Sequence, residues 1–214
     1  MASPRDMDDE VGEAISAFKS GRPVMIYDSD YREMETDLLW HAAAATPEVI
    51  RRLRNDCGGL LFLAIGDEIG EMFGLPWLQD IHSHKTLVEE NPVLGHLVTN
   101  DLQYDSRSAF TLSLNHRETY TGITDRDRSL TTRRFGELSG ELIEKDQDAF
   151  RPIERLGKEF RTPGHIPVCR ESPGGLKTRQ GHTELAVSIA RLAGLTACTI
   201  GAEMLEPEGD GALS

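Results

Sequence analysis

The stretch "GGLLFLAI", Gly58 to Ile65, limits the possible folds more than any other part of this chain. Two glycines lead into a continuous apolar run too short for a self-burying helix. A strand apolar on both faces is buried on both, so the run is predicted to be a central strand of a sheet. Four further segments have strand character: "RPVMIYD" (22–28), "SAFTLSL" (108–114), "HIPVCRE" (165–171) and "TACTIGAEML" (196–205). Helical spacing appears between them. Val11, Ala14, Ile15 and Phe18 share one helix face, and Gly21 follows as a stop. Thr46-Pro47 pairs a cap with a proline at the first helical position, ahead of "EVIRRLRND". "EIGEMFG" (68–74), "LTTRRFGEL" (130–138) and "DAFRPIERLGKEF" (148–160) are predicted helices or helical turns. "GHTELAVSIARLAG" (181–194) has the strongest helical pattern, with Thr183 as its cap and Gly194 as its stop. Residues 75–105 show no clear period.

These elements do not alternate as βαβ units, and no repeat is visible. The fold class is therefore α+β: one layered domain over residues 1–214, a mixed sheet packed against helices. Both ends, about 1–9 and 207–214, are expected to be flexible. No glycine-rich nucleotide fingerprint follows a strand, so neither a Rossmann nor a P-loop fold is supported.

Composition excludes several classes. The net charge of −13 opposes nucleic-acid and anionic-membrane partners, because phosphates are repelled. No apolar run is long enough to span a membrane, and the start "MASPRDMDDE" lacks a secretory apolar region, so a cytoplasmic location is expected. Cys57, Cys169 and Cys198 stand apart, without a CxxC pair, as reduced thiols would. The 18 arginines against 5 lysines suit a protein kept soluble in high salt as well as an ordinary acidic one.

Chemistry is concentrated in three places. "YDSDYREMETD", Tyr27 to Asp37, crowds Asp28, Asp30, Glu33, Glu35 and Asp37 around Arg32. If extended, it would turn Glu33, Glu35 and Asp37 to one face. Carboxylates so close repel unless a cation compensates, and their oxygens suit Mg²⁺. A solvated acidic turn explains the same residues. Arg32 offers a fork for a phosphate or a carboxylate. "GGLKTRQGHTE" (174–184) sets Lys177, Arg179 and His182 at a helix start, which suits either an anion or a metal held by His182. "TPGHIP" places His165 after a Pro-Gly turn, as a possible acid or base or as a structural histidine. "TYTGITDRDRSLTT" is phosphate-friendly but unspecific. His82 and His84 resemble a metal pair but fit a surface loop better.

In order and spacing, "GRPVMIYDSDYREMETD", "SAFTLSL", "TGITDRDRSLT", "TPGH", "GGLKTRQGHTELAV" and "GAEML" resemble 3,4-dihydroxy-2-butanone 4-phosphate synthases of riboflavin biosynthesis, over most of residues 10–206. "REMETD" and "TRQGHTE" are the closest matches to the family's motifs. The resemblance implies a lyase that converts D-ribulose 5-phosphate to L-3,4-dihydroxy-2-butanone 4-phosphate and formate with Mg²⁺ or Mn²⁺. It implies a homodimer with active sites near the subunit interface. It puts the metal on Glu33 and His182. Substrate contacts fall on Arg32, Glu33, Asp37, Arg179, Gln180, Gly181, His182, Thr183 and Glu203. Catalysis falls on His165, Glu203 and Asp37, with Glu35 a further proton-transfer candidate. A different metal-dependent sugar-phosphate isomerase or aldolase, or a non-catalytic binding protein, would use the same groups. Phe62 stands where relatives often carry Cys, Gln180 where many have Gly, and Thr162 where Arg is common. Residues 80–104 are longer than in short relatives and suggest a lid or a dimer surface. The cysteine-rich zinc motif of a fused GTP cyclohydrolase domain is absent, so a single activity is expected.

Overall fold

The computed structural model describes residues 4–98, 101–143 and 150–213. In chain order the elements are α1 (Pro4–Lys19), β1 (Val24–Tyr27), β2 (Thr36–His41), α2 (Pro47–Asp56), β3 (Phe62–Ile65), α3 (Asp67–Met72), α4 (Leu78–His82), α5 (Lys85–Glu90), α6 (Leu94–Leu97), β4 (Phe110–His116), α7 (Asp125–Ile143), α8 (Phe150–Glu159), β5 (Phe160–Arg170), α9 (His182–Leu192) and β6 (Cys198–Glu203). The six strands form one sheet in the order β1-β2-β6-β3-β5-β4. Only β3 and β5 run parallel; the other neighbours are antiparallel.

The apolar run at 60–65 does become an inner strand, and β3 is buried at every position. Helices α1 and α9 contact each other and the β1–β2 side of the sheet; α2 and α7 contact each other and β6. This gives the mixed-sheet α+β arrangement expected from the sequence. Leu39, Ile50, Leu63, Phe135, Ile166 and Ile200 are fully buried in the core between these layers.

Local signals account for several elements. Thr46 caps α2 by accepting the Val49 N–H at 3.3 Å, with Pro47 at the start. Gly21 and Gly194 follow α1 and α9 with φ of 76° and 70°, a conformation open to glycine at little cost. Other expectations needed correction. The cap of α9 is Gly181, and Thr183 lies buried within the first turn. Strand β2 has no clear sequence signal: "TDLLWH" mixes charged and apolar residues, yet all six are buried because it is an inner strand that α1 and α9 also contact. Gly201 of β6 lies so close to β2 that a Cβ there would collide with Leu39. The Pro-Gly of "TPGH" is not a turn before a strand but part of β5, which begins at Phe160.

The ends also differ from expectation. Helix α1 starts at Pro4. The C-terminal tail folds back: Leu213 donates to the Met204 carbonyl at 2.8 Å and accepts the Thr36 N–H at 2.9 Å. Residues 78–97, without a readable period, form three short helices; residues 99–100, and 148–149 of the predicted 148–160 helix, lie outside the described residues, as do 1–3 and 214. Among the described residues, no helix is long and apolar enough to cross a membrane.

Candidate active site

Residues 28–35 form the loop of the β1–β2 hairpin, so the acidic run is not one extended strand. Asp28 organises this loop. Its carboxylate accepts the N–H groups of Glu33 at 2.8 Å and Glu35 at 3.1 Å, and its own N–H donates to the Glu35 carbonyl at 3.2 Å. Met34 takes a φ of 56°, which turns the chain before β2 begins. Alternation along a strand therefore does not gather the carboxylates; a turn and strand register do. Asp37 lies directly opposite Glu203 in the β2–β6 pairing, so both side chains share a face.

Helix α9 adds His182 at its first residue. Its Nδ1 lies 3.2 Å from Glu33 Oε2, and its Nε2 lies 3.0 Å from the Glu35 carbonyl and 3.7 Å from Asp37 Oδ1. Asp28, Glu33 and His182 bring ligand atoms within 4.8 Å of one another. Arg32 and Arg179 flank the cluster. Arg32 pairs with Glu33 at 2.7 Å, and Arg179 donates to Glu184 at 2.6 Å. Gly181 makes room for both, since a Cβ there would strike the two guanidinium groups.

A cavity of about 190 Å³ opens over these groups, lined by Glu33, Asp37, Arg179, His182, Thr183 and Glu203, with Leu60, Phe62 and Phe110 among its apolar walls. Burial pushes the Asp37 carboxyl up to about 7; His182 opposes that rise, while Glu203, Glu35 and Glu33 add to it. Burial also raises Glu203, and it raises Glu35 together with the charges of Glu33 and Glu203. Glu33 is lowered despite its burial, because His182 and Arg32 outweigh it. His182 is raised against its own burial by Glu33, Asp37 and Asp28. Both Asp37 oxygens are buried without a hydrogen-bond partner among the described residues. Such an orphaned carboxylate, beside a His/Asp/Glu donor set, fits a hard divalent cation.

The model of the family "3,4-dihydroxy-2-butanone 4-phosphate synthase" matches residues 12–213. The chain belongs to the 3,4-dihydroxy-2-butanone 4-phosphate synthase family. The synthase of Methanothermobacter thermautotrophicus is 39% identical over 95% of this chain and 84% of its own length. That of Methanosarcina acetivorans is 38% identical over 96% of this chain and 81% of its own. Among solved structures, a 3,4-dihydroxy-2-butanone 4-phosphate synthase in complex with two magnesium ions superposes with a TM-score of 0.66. It is 27% identical, over 94% of this chain and 79% of that one.

Within this synthase-family chain the expected residues divide into groups. Glu33, Asp37, Arg179, His182, Thr183 and Glu203 line one cavity, and Arg32 braces it from behind Glu33. Gln180 is exposed and does not line it. His165 is also exposed. It is held by Asn115, whose Oδ1 accepts the His165 N–H at 2.9 Å, and it lines a separate cavity with Arg54, Gly59 and Arg128. Leu60 borders both cavities. Phe62 lines the cavity, and a thiol reaches the same space from β5: Cys169, pushed up to about 12 by burial. His82 and His84 belong to no metal-holding cluster among the described residues. Sequence reasoning did not single out Asp28 as a ligand candidate, although it lies in the quoted motif. It missed Asp105 altogether, and no motif marks that residue.

Proposed function

We propose that this chain is a Mg²⁺- or Mn²⁺-dependent lyase of riboflavin biosynthesis, acting in the cytoplasm. It converts D-ribulose 5-phosphate to L-3,4-dihydroxy-2-butanone 4-phosphate and formate. The substrate and the two products balance without an external oxidant or net water. The observation that carries this reading is the buried Asp37 carboxylate, without a hydrogen-bond partner among the described residues, facing Glu203 and lying 3.7 Å from His182 Nε2. In the reading, Glu33 and His182 hold the cation, with Asp28 within reach. When bound, the ion supplies Lewis-acid polarisation to neighbouring substrate oxygens.

The chain's own groups do the rest. Enolisation, dehydration and the skeletal shift move protons at adjacent carbons. Asp37, raised to about 7, can both give and take a proton near neutral pH. Glu203 and Glu35, also raised, are its neighbours in the relay. Arg32 and Arg179 hold the substrate's charged oxygens, with the first turn of α9 behind them. Thr183 borders the same space. His165 lies outside its own chain's cavity, which supports a homodimer in which each subunit completes the other's site.

The test is incubation with ribulose 5-phosphate and Mg²⁺, assayed for formate, with and without chelator. Formate that appears with the metal and stops on chelation supports the reading. A sugar-phosphate isomer without formate would replace it with an isomerase.

A further inference from the structure

The two arginines assigned to the substrate already share one anion, and it comes from the chain itself. Asp105 lies between α6 and β4, 73 residues beyond Arg32 and 74 before Arg179. A single oxygen, Oδ2, receives Arg32 Nη2 at 2.7 Å, Arg179 Nε at 2.8 Å and Arg179 Nη2 at 2.7 Å. The Asp105 side chain is only 9% exposed, and it borders the same cavity as Glu33, His182 and Glu203. An oxygen gripped by three charged donors from two guanidinium forks sits where a phosphate or carboxylate oxygen of a ligand would be recognised.

The charge arithmetic sharpens the point. Arg32 is also bound by Glu33 and Asp28, and Arg179 by Glu184. With Asp105 docked, neither arginine presents an unmatched charge to the cavity. A phosphate monoester carries close to two negative charges near neutral pH. In the cavity it would meet Asp37, Glu203 and Asp105, with neither Arg32 nor Arg179 free to offset them. Removing Asp105 takes away one repelling charge and frees three donors in a single movement.

The segment that carries Asp105 is built to allow this. Among the described residues, 102–107 make no backbone–backbone hydrogen bond. Side chains tether the segment: the Tyr104 ring lies 4.8 Å from the Arg32 guanidinium, and Arg107 stacks 3.7 Å from the Trp77 ring. The first of these tethers is shared with the arginine that the ligand would take.

We propose that Asp105 is a displaceable internal counter-anion, competing with the substrate's phosphate for Arg32 and Arg179 and so setting affinity for anionic sugars. The proposal rests on the sugar-phosphate reading above. Its test is arranged so that the two can fail separately.

Wild-type protein, Asp105→Asn and Asp105→Glu are loaded with Mg²⁺. Inorganic phosphate binding is measured by titration calorimetry, and the KM for ribulose 5-phosphate by formate release. Asp105→Asn is expected to bind phosphate roughly tenfold tighter and to lower KM in the same direction, with Asp105→Glu close to wild type. Unchanged or weaker phosphate binding in Asp105→Asn overturns the proposal, because Asp105 would then only hold the arginines in position. No formate from wild type would sink the sugar-phosphate reading alone, since the phosphate titration needs no turnover.

Discussion

Two clusters of arginines and carboxylates lie at different places in this sheet, and they are wired differently. In one, around the end of β5, every carboxylate has a guanidinium partner. Buried Arg170 donates to Asp67 and Glu71 and to the Leu75 carbonyl. Glu171, 2% exposed, takes both terminal nitrogens of Arg191, at 2.7 and 2.6 Å, and Glu68 takes one of them. In the other, around His182, Arg32 and Arg179 serve Asp28, Glu33, Asp105 and Glu184. Glu35, Asp37 and Glu203 have no guanidinium or ammonium partner among the described residues, and burial raises all three. Matched charges hold elements together. Unmatched buried carboxylates cost stability, and they mark a place arranged for something positive to bind.

The strongest way to break this comparison is to remove the two proposed metal donors. Glu33→Gln and His182→Ala should each cut formate release by roughly a thousandfold while the fold, followed by circular dichroism, survives. Near-normal turnover in both would make the unmatched cluster as structural as the matched one. The reverse test is Arg170→Ala. It leaves the Leu75 carbonyl and half-buried Asp67 without their guanidinium donor and should cost about 2 kcal/mol in denaturant unfolding, with turnover per folded molecule unchanged.

A third test uses pH. The ordinary Asp pKa of 3.8 rises to about 7 for Asp37 in the folded chain. Between those values the folded state binds more protons than the unfolded one. Stability of chelated protein should therefore be greatest at the acid end of this window, decline as pH climbs through it, and level off above about 7. Asp37→Asn should flatten that decline and raise the melting temperature at pH 8, at the expense of activity. Mg²⁺ should stabilise wild type more at pH 8 than at pH 5, because a protonated carboxyl competes with the ion. The smallest effect is expected at an exposed pair: breaking Arg51–Glu48, 2.5 Å apart on α2, with Arg51→Ala should cost no more than about 0.5 kcal/mol.

Some of this was legible in the chain and some was not. Helix α2 could be read because a cap and a proline act within one turn, and β3 because six apolar residues stand together. Strand β2 could not be read, since its burial comes from its inner place in the sheet and the helices that contact it. The candidate site was legible as two motifs through a family resemblance. Its assembly was not: an expected alternation gave way to a hairpin loop built on Asp28, and His165 came to lie over a different cavity.

The sequence by itself determined the helix and strand segments with strong local patterns and the residue types available for chemistry, because period, caps and side-chain pKa ranges are local properties. The tertiary structure alone decided that His182 meets Glu33 across 149 residues, that register sets Asp37 against Glu203, and that Asp105 closes on two distant arginines. Those outcomes depend on burial and on long-range pairing. Both are set by the whole core at once, so no short window of residues contains them.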